Sequence, residues 1–154
     1  MAWLQRHAWW GLVVMSVIVG LFGVTDVIGG VTADPGIPLG LTGMTLGELE
    51  ADSAQAYRLL DFMVRAGGVH LIVMGGLMTA VLLFAFRRGQ RWAWWAMWTL
   101  PAWAASVFVL NFAYGVAPGQ ALPPPMISGP IFAVLAAAIL LVSAPRFFSD
   151  RAST

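Results

Sequence analysis

The chain contains no cysteine and no lysine. The first absence excludes disulfides, thiolate metal sites, iron–sulfur clusters and cysteine nucleophiles. The second leaves arginine to supply all the fixed positive charge, a bias that a GC-rich coding sequence explains by itself. Charge of either sign is scarce: 10% of the 154 residues carry one, eight of them basic and seven acidic. A soluble domain carries about 25%. The net charge of +1 offers a nucleic acid no electrostatic footprint. Hydrophobic residues make up 60% of the chain, far more than one water-soluble core can absorb.

The apolar residues fall into four long runs. They predict an all-α fold, an integral membrane four-helix bundle forming one domain over 1–154, with helices over about 8–30, 58–86, 92–114 and 126–146. A helix rises 1.5 Å per residue and the hydrocarbon core is about 30 Å thick, so about 20 apolar residues span it. Helices also satisfy their own backbone polar groups, which lipid cannot do. The connection over 31–57 is the sizeable piece outside the spans. Its first half, ADPGIPLGLTG, is rich in Gly and Pro and predicts irregular chain. Thr45-x-x-Glu48 is a capping box and predicts a short helix from 46. Pro101 predicts a kink in the third helix, whereas Pro130 falls in the first turns of the fourth, where proline is tolerated. Val31-Thr32-Ala33 has the form of a signal-peptidase site. The apolar run before it exceeds the roughly 7–15-residue core of a signal peptide, so the first helix is read as a retained span.

Arginine sets the orientation. Arg6, then Arg87, Arg88 and Arg91, then Arg146 and Arg151 flank three of the segment ends. The connection over 31–56 has no arginine and carries Asp34, Glu48, Glu50 and Asp52. The positive-inside rule then places both termini on the cytoplasmic side of a bacterial inner membrane. Trp3, Trp9, Trp10, Trp92, Trp94, Trp95, Phe147 and Phe148 fall at the inner boundary and Tyr57 and Tyr114 at the outer one, as amphipathic rings favour the headgroup level.

Aligned by depth, the polar side chains gather in the outer half. Asp26 ends the first helix; Asp61, Arg65 and His70 descend the second; Asn111 and Tyr114 end the third, and Ser128 begins the fourth. The inner halves hold little beyond Ser16, Thr79, Thr99 and Ser143. A charge at the bilayer centre costs about 2.5–3.5 kcal/mol on insertion scales, so such groups face the bundle and find partners. Asp61 and Arg65 are spaced i,i+4 and can pair along one helix face, with Asp26 as a second partner across helices. One reading makes the pair a salt bridge that fixes register or sits in the headgroups. The other makes it part of a pocket in which Arg65 binds an anionic or carbonyl group. His70 lies about 140° around the helix from Arg65, so a straight helix cannot aim both at one small site. It reads either as a satisfied core histidine or, through a helix loosened at Gly67-Gly68, as a pocket residue. His7 falls at the opposite boundary, which removes a bis-histidine haem site. No metal-ligand spacing, nucleophile elbow or phosphate loop is present. Gly68, Gly75 and Thr79, with Gly20 and Gly23, form small-residue stripes suited to close helix packing within the chain or between copies.

The run Arg65-x-x-Gly68, Ile72, Gly75-Gly76 and Leu77, followed by Arg87-Arg88-Gly89-Gln90-Arg91-Trp92-Ala93-Trp94-Trp95, resembles small bacterial four-helix membrane proteins of the DoxX-like group. The resemblance covers the second and third helices, roughly a third of the chain. It implies a four-helix bundle, in a group of which some members are linked to quinone-coupled sulfur or redox systems.

These observations point to a non-catalytic accessory or ligand-binding subunit. Its pocket for a lipid- or quinone-like molecule would be bordered by Asp26, Asp61, Arg65, His70, Asn111 and Tyr114. Asn111 and Tyr114 lie about 60° apart on the third helix above an apolar face. Membrane lipids, and a membrane protein partner or second copy, are the partners this implies; no metal and no nucleic acid enter. Two alternatives stay open. One is a membrane isomerase using Asp26, Asp61 and His70 as acid–base groups. The other is a proton-coupled transporter using Asp26 or Asp61.

Overall fold

Helix α1, Trp9–Gly29, begins beside the stacked rings of Trp9 and Trp10 and continues through a 3-10 turn, Gly30–Ala33. The computed structural model describes residues 7–115 and 124–148, and every regular element among them is helical. Trp3, Arg6, Arg151 and residues 116–123 lie outside the described residues. Two short helices follow, α2 over Gly36–Thr42 and α3 over Leu46–Asp52. The long α4, Ala54–Phe84, leads through a second 3-10 turn, Phe86–Arg88, to α5, Arg91–Ala96. Helices α6, Thr99–Ala113, and α7, Pro124–Phe148, complete the chain.

Three boundaries differ from the sequence reading, each for a local reason. Residues 36–42 were expected to be irregular and form α2. Pro35 and Pro38 fall at its start, where backbone N–H groups have no helical acceptor in any case. Gly43, at φ 73°, closes it by donating its N–H to Leu39 O. The helix expected from 58 begins at Ala54, because Ser53 Oγ accepts the Ala56 N–H at 3.2 Å and caps it. The helix expected over 92–114 is interrupted at Met97–Trp98, between α5 and α6. Pro101 has no N–H to give Met97 O, and Leu100 N takes that carbonyl instead at 3.2 Å. The capping box forms: Glu48 N donates to Thr45 Oγ1 at 3.3 Å and Thr45 N to Glu48 Oε2 at 2.7 Å.

Four stretches are long and apolar enough to cross a membrane: Trp9–Ala33, Ala54–Arg88, Arg91–Ala113 and Met126–Phe148. They pack as two antiparallel pairs, α1 with α4 and α6 with α7. In the first pair the backbones touch. A Cβ on Gly68 would stand 2.7 Å from Gly23 O, and one on Gly75 would stand 2.7 Å from both Ser16 O and Gly20 N. Only glycine permits that approach, and the close packing expected of these stripes is made within the chain.

The two pairs join most firmly at the arginine-bearing end. Leu12, Leu82, Phe86, Met97, Leu100 and Leu140 are fully buried there. Trp94 Nε1 donates to Leu140 O at 2.9 Å, and Arg91 Nε to Phe147 O at 3.0 Å. Arg146 donates to Arg87 O. The few hydroxyls at this depth are satisfied by their own helices, as Ser16 is by Leu12 O and Ser143 by Leu140 O. Outward faces stay apolar and exposed, with Leu77 at 63% and Val134 at 68%. Such a surface is a liability in water and is the natural one in hydrocarbon.

Candidate ligand-binding cavity

At the end opposite the Arg87–Arg91 turn the two helix pairs part. The geometry there starts from Gly30. Its φ of 58° lies in the left-handed region that favours glycine, and it turns the chain out of α1 toward α4. A Cβ at Gly30 would collide with the Asp61 carboxylate and come within 2.7 Å of Arg65 Nη2. Asp61 is held at both oxygens: Oδ1 accepts the Val31 N–H at 3.0 Å and Oδ2 accepts Arg65 Nε at 2.8 Å. Arg65 Nη1 reaches on to Val27 O at 2.6 Å and Ile28 O at 3.1 Å. The guanidinium therefore serves carbonyls of the last turn of α1, where orphan acceptors and the negative end of the helix dipole both favour a cation.

The salt bridge is one of the two readings of the sequence, and the structure adds the α1 carbonyls as its further partners. Asp26 was the alternative partner across helices. It makes no ion pair with Arg65 among the described residues. Spacing along one helix favours Asp61, while the carbonyls of α1 draw the far end of the guanidinium away.

Beside this clamp lies a cavity of about 930 Å3 between the pairs. Phe22, Ile28, Ile37, Leu71, Val107 and Phe132 supply much of its apolar wall. Its polar groups are Thr25, Asp26, Thr32, Asp34, His70 and Ser128, with Trp103 on the α6 side. Phe22, Thr25, Ile28, Thr32 and His70 are themselves exposed, so the cavity opens to its surroundings. The volume lies within the range of small-molecule sites, about 300–1,000 Å3.

Of the six site residues named from sequence, Asp26 and His70 line this cavity. Asp61, Arg65, Asn111 and Tyr114 are not among its lining residues. Asn111 Nδ2 donates to Val107 O of its own helix at 2.9 Å, and Tyr114 is 71% exposed. From α6 it is Trp103, Ala104 and Val107 that meet the space, Ala104 and Val107 lying on the apolar face expected to run inward from Asn111 and Tyr114. His70 and Arg65 serve different places, as their angular separation on α4 requires.

Asp34, Thr25, Thr32 and Trp103 were not singled out by sequence. Asp34 was counted only among the acids of the arginine-free connection over 31–56. The 3-10 turn folds it back to the cavity, where burial pushes its carboxyl above the usual carboxylate range and the charge of Asp26 adds to that. The backbone N–H groups of Gly36 and Ile37 oppose the shift. An Asp directly before Pro-Gly signals a turn; nothing in the spacing tells that the turn is inward.

The hydrogen bonds give the cavity a consistent polarity. Thr25 Oγ1 donates to Phe22 O and Thr32 Oγ1 to Gly29 O, each at 2.7 Å, so each hydroxyl keeps only its oxygen free to accept. His70 Nδ1 lies 2.7 Å from Ala66 O. A carbonyl oxygen can only accept, so Nδ1 carries the hydrogen and Nε2 of the neutral ring is an acceptor. Among the described residues no group of three or more His, Cys, Asp or Glu is placed to hold a metal ion. No protein-family model matches the chain, and no curated protein sequence or solved structure matches it either.

Proposed function

We propose that this chain is a four-span protein of the bacterial inner membrane, with its arginine-bearing end cytoplasmic, and that it binds a lipophilic molecule without transforming it. The reading places it with the DoxX-like four-helix bundles as a ligand-binding or accessory subunit, with a lipophilic small molecule as occupant. The observation that carries it is the cavity: apolar walls from both helix pairs, polar groups along one side, and a volume of about 930 Å3. Asp26 and His70 on one cavity support acid–base chemistry as a second reading. The loss of Asp61 to the Arg65 clamp removes one of its three groups, so binding is preferred. A transporter is disfavoured because the polar groups sit toward one end of the bundle and transport sites lie near the midplane.

The test is extraction. Protein purified from membranes in mild detergent is extracted with organic solvent and the extract analysed by mass spectrometry, beside a Val107→Trp variant whose indole fills the cavity. A lipophilic species near one per chain in the wild type, depleted in the variant, is the expected result. Identical extracts from both proteins would contradict the reading.

A further inference from the structure

The cavity lining includes no arginine, and acceptors predominate among the side chains it offers a ligand, beside the Ser128 hydroxyl and the Trp103 indole N–H. Asp26, in the last turn of α1, and Asp34, directly after the 3-10 turn, both line it. Among the described residues the Asp26 carboxylate takes part in no hydrogen bond or ion pair. The Thr25 and Thr32 hydroxyls have spent their hydrogens on backbone carbonyls, and a neutral His70 ring, with Nδ1–H given to Ala66 O, has Nε2 left as an acceptor. Arg65, which does not line the cavity, is committed to Asp61 and α1. Phe22, Trp103 and Phe132 add aromatic faces, which attract cations.

Resting on the binding function proposed above, we infer that the occupant is a compact lipophilic ammonium ion, its N–H groups directed to Asp26 and Asp34 and its hydrocarbon body held between Phe22, Trp103 and Phe132. Three consequences of the geometry favour it. The two carboxylates line one cavity and repel one another, and a cation between them turns that repulsion into attraction. An ammonium provides donors where the wall provides acceptors, whereas a carbonyl or quinone would bring further acceptors. A carboxylate or phosphate would meet like charge with no arginine or lysine to offset it.

Three probes of one shape separate the possibilities: 1-adamantylammonium, 1-adamantanol and 1-adamantanecarboxylate, titrated calorimetrically into the detergent-purified chain near neutral pH. The ammonium is expected to bind saturably and about tenfold or more tighter than the alcohol, with the carboxylate weakest. Asp26→Asn and Asp34→Asn should each erase most of that preference while leaving the alcohol unaffected. Asp26 makes no hydrogen bond that the fold needs, so its variant reports on charge rather than on folding. Val107→Trp should abolish binding of all three. Alcohol binding as tight as the ammonium, blocked by Val107→Trp, would overturn the ammonium inference and leave the binding cavity standing. An ammonium preference that survives both Asn variants would also overturn it. Saturable binding by none of the probes would overturn the inference and the cavity function together.

Discussion

Arg65 Nε donates to Asp61 Oδ2 at 2.8 Å while the same guanidinium reaches Val27 O and Ile28 O across the helix interface. One side chain thus ties two helices through a carboxylate on its own helix and a helix terminus on the other. Lysine carries the charge without the planar fork that serves both. Arg65→Ala and Arg65→Lys should each lower the melting temperature in detergent more than Arg88→Ala, which changes an exposed turn. A lysine variant as stable as wild type would show that charge alone suffices and that the α1 carbonyls contribute nothing.

Two adjacent glycines supply an internal control for the α1–α4 contact. A Cβ on Gly75 would press into the backbone at Ser16 and Gly20, and one on Gly76 would meet nothing within 4 Å. Gly75→Ala should destabilise by about 1–3 kcal/mol, the usual cost of overpacking. Gly76→Ala should be neutral or stabilising by about 0.5–1 kcal/mol through helix propensity. Unfolding in mixed micelles measures both. Equal effects from the two substitutions would contradict the backbone contact.

Much of this architecture was legible in the residues because apolar length and capping chemistry are local signals. Four stretches, the Thr45–Glu48 box and the effect of Pro101 can each be read within a few positions. The site was less legible. Depth along the helices brought Asp26 and His70 toward the same end, but Asn111, one turn beyond Val107, gives its amide N–H back to Val107 O, and Tyr114 lies exposed just past the end of α6. Arg65 was offered as a ligand group because its competing acceptors, Val27 O and Ile28 O, are backbone atoms that spacing does not reveal. Asp34 was missed because its place depends on the turn at Gly30.

Asp34 gives a pH signature. Burial, then the charge of Asp26, raises its carboxyl above the ordinary 3.8 in the folded chain. The folded state therefore holds this proton more tightly than the unfolded state. The contribution of Asp34 to stability is full below the ordinary value and is lost as pH rises through the raised one. Asp34→Asn keeps the side-chain oxygen next to the Gly36 and Ile37 N–H groups and removes the charge. In ligand-free protein it should raise the melting temperature at about pH 7 and change little near about pH 3. A lower melting temperature for the variant at neutral pH would contradict the shift.

The orientation rests on arginine. A reporter inserted at Gly43, in the turn closing α2, should act outside the cytoplasm, and one at Gly89 should act within it. The reverse pattern would invert the topology and place the cavity in the inner leaflet.

The central claim is that the space between the helix pairs accepts a lipophilic molecule. Photolabelling with a diazirine-bearing alkyl amine in lipid nanodiscs, with peptide mapping, tests it most directly. The account predicts adducts on cavity residues such as Phe22, Leu71, Trp103 and Phe132, suppressed by excess unlabelled 1-adamantylammonium and by Val107→Trp. Adducts spread over the outward faces around Val73, Leu77, Val134 and Leu141, unaffected by competitor or variant, would contradict it and leave a packed bundle whose polar end only meets headgroups.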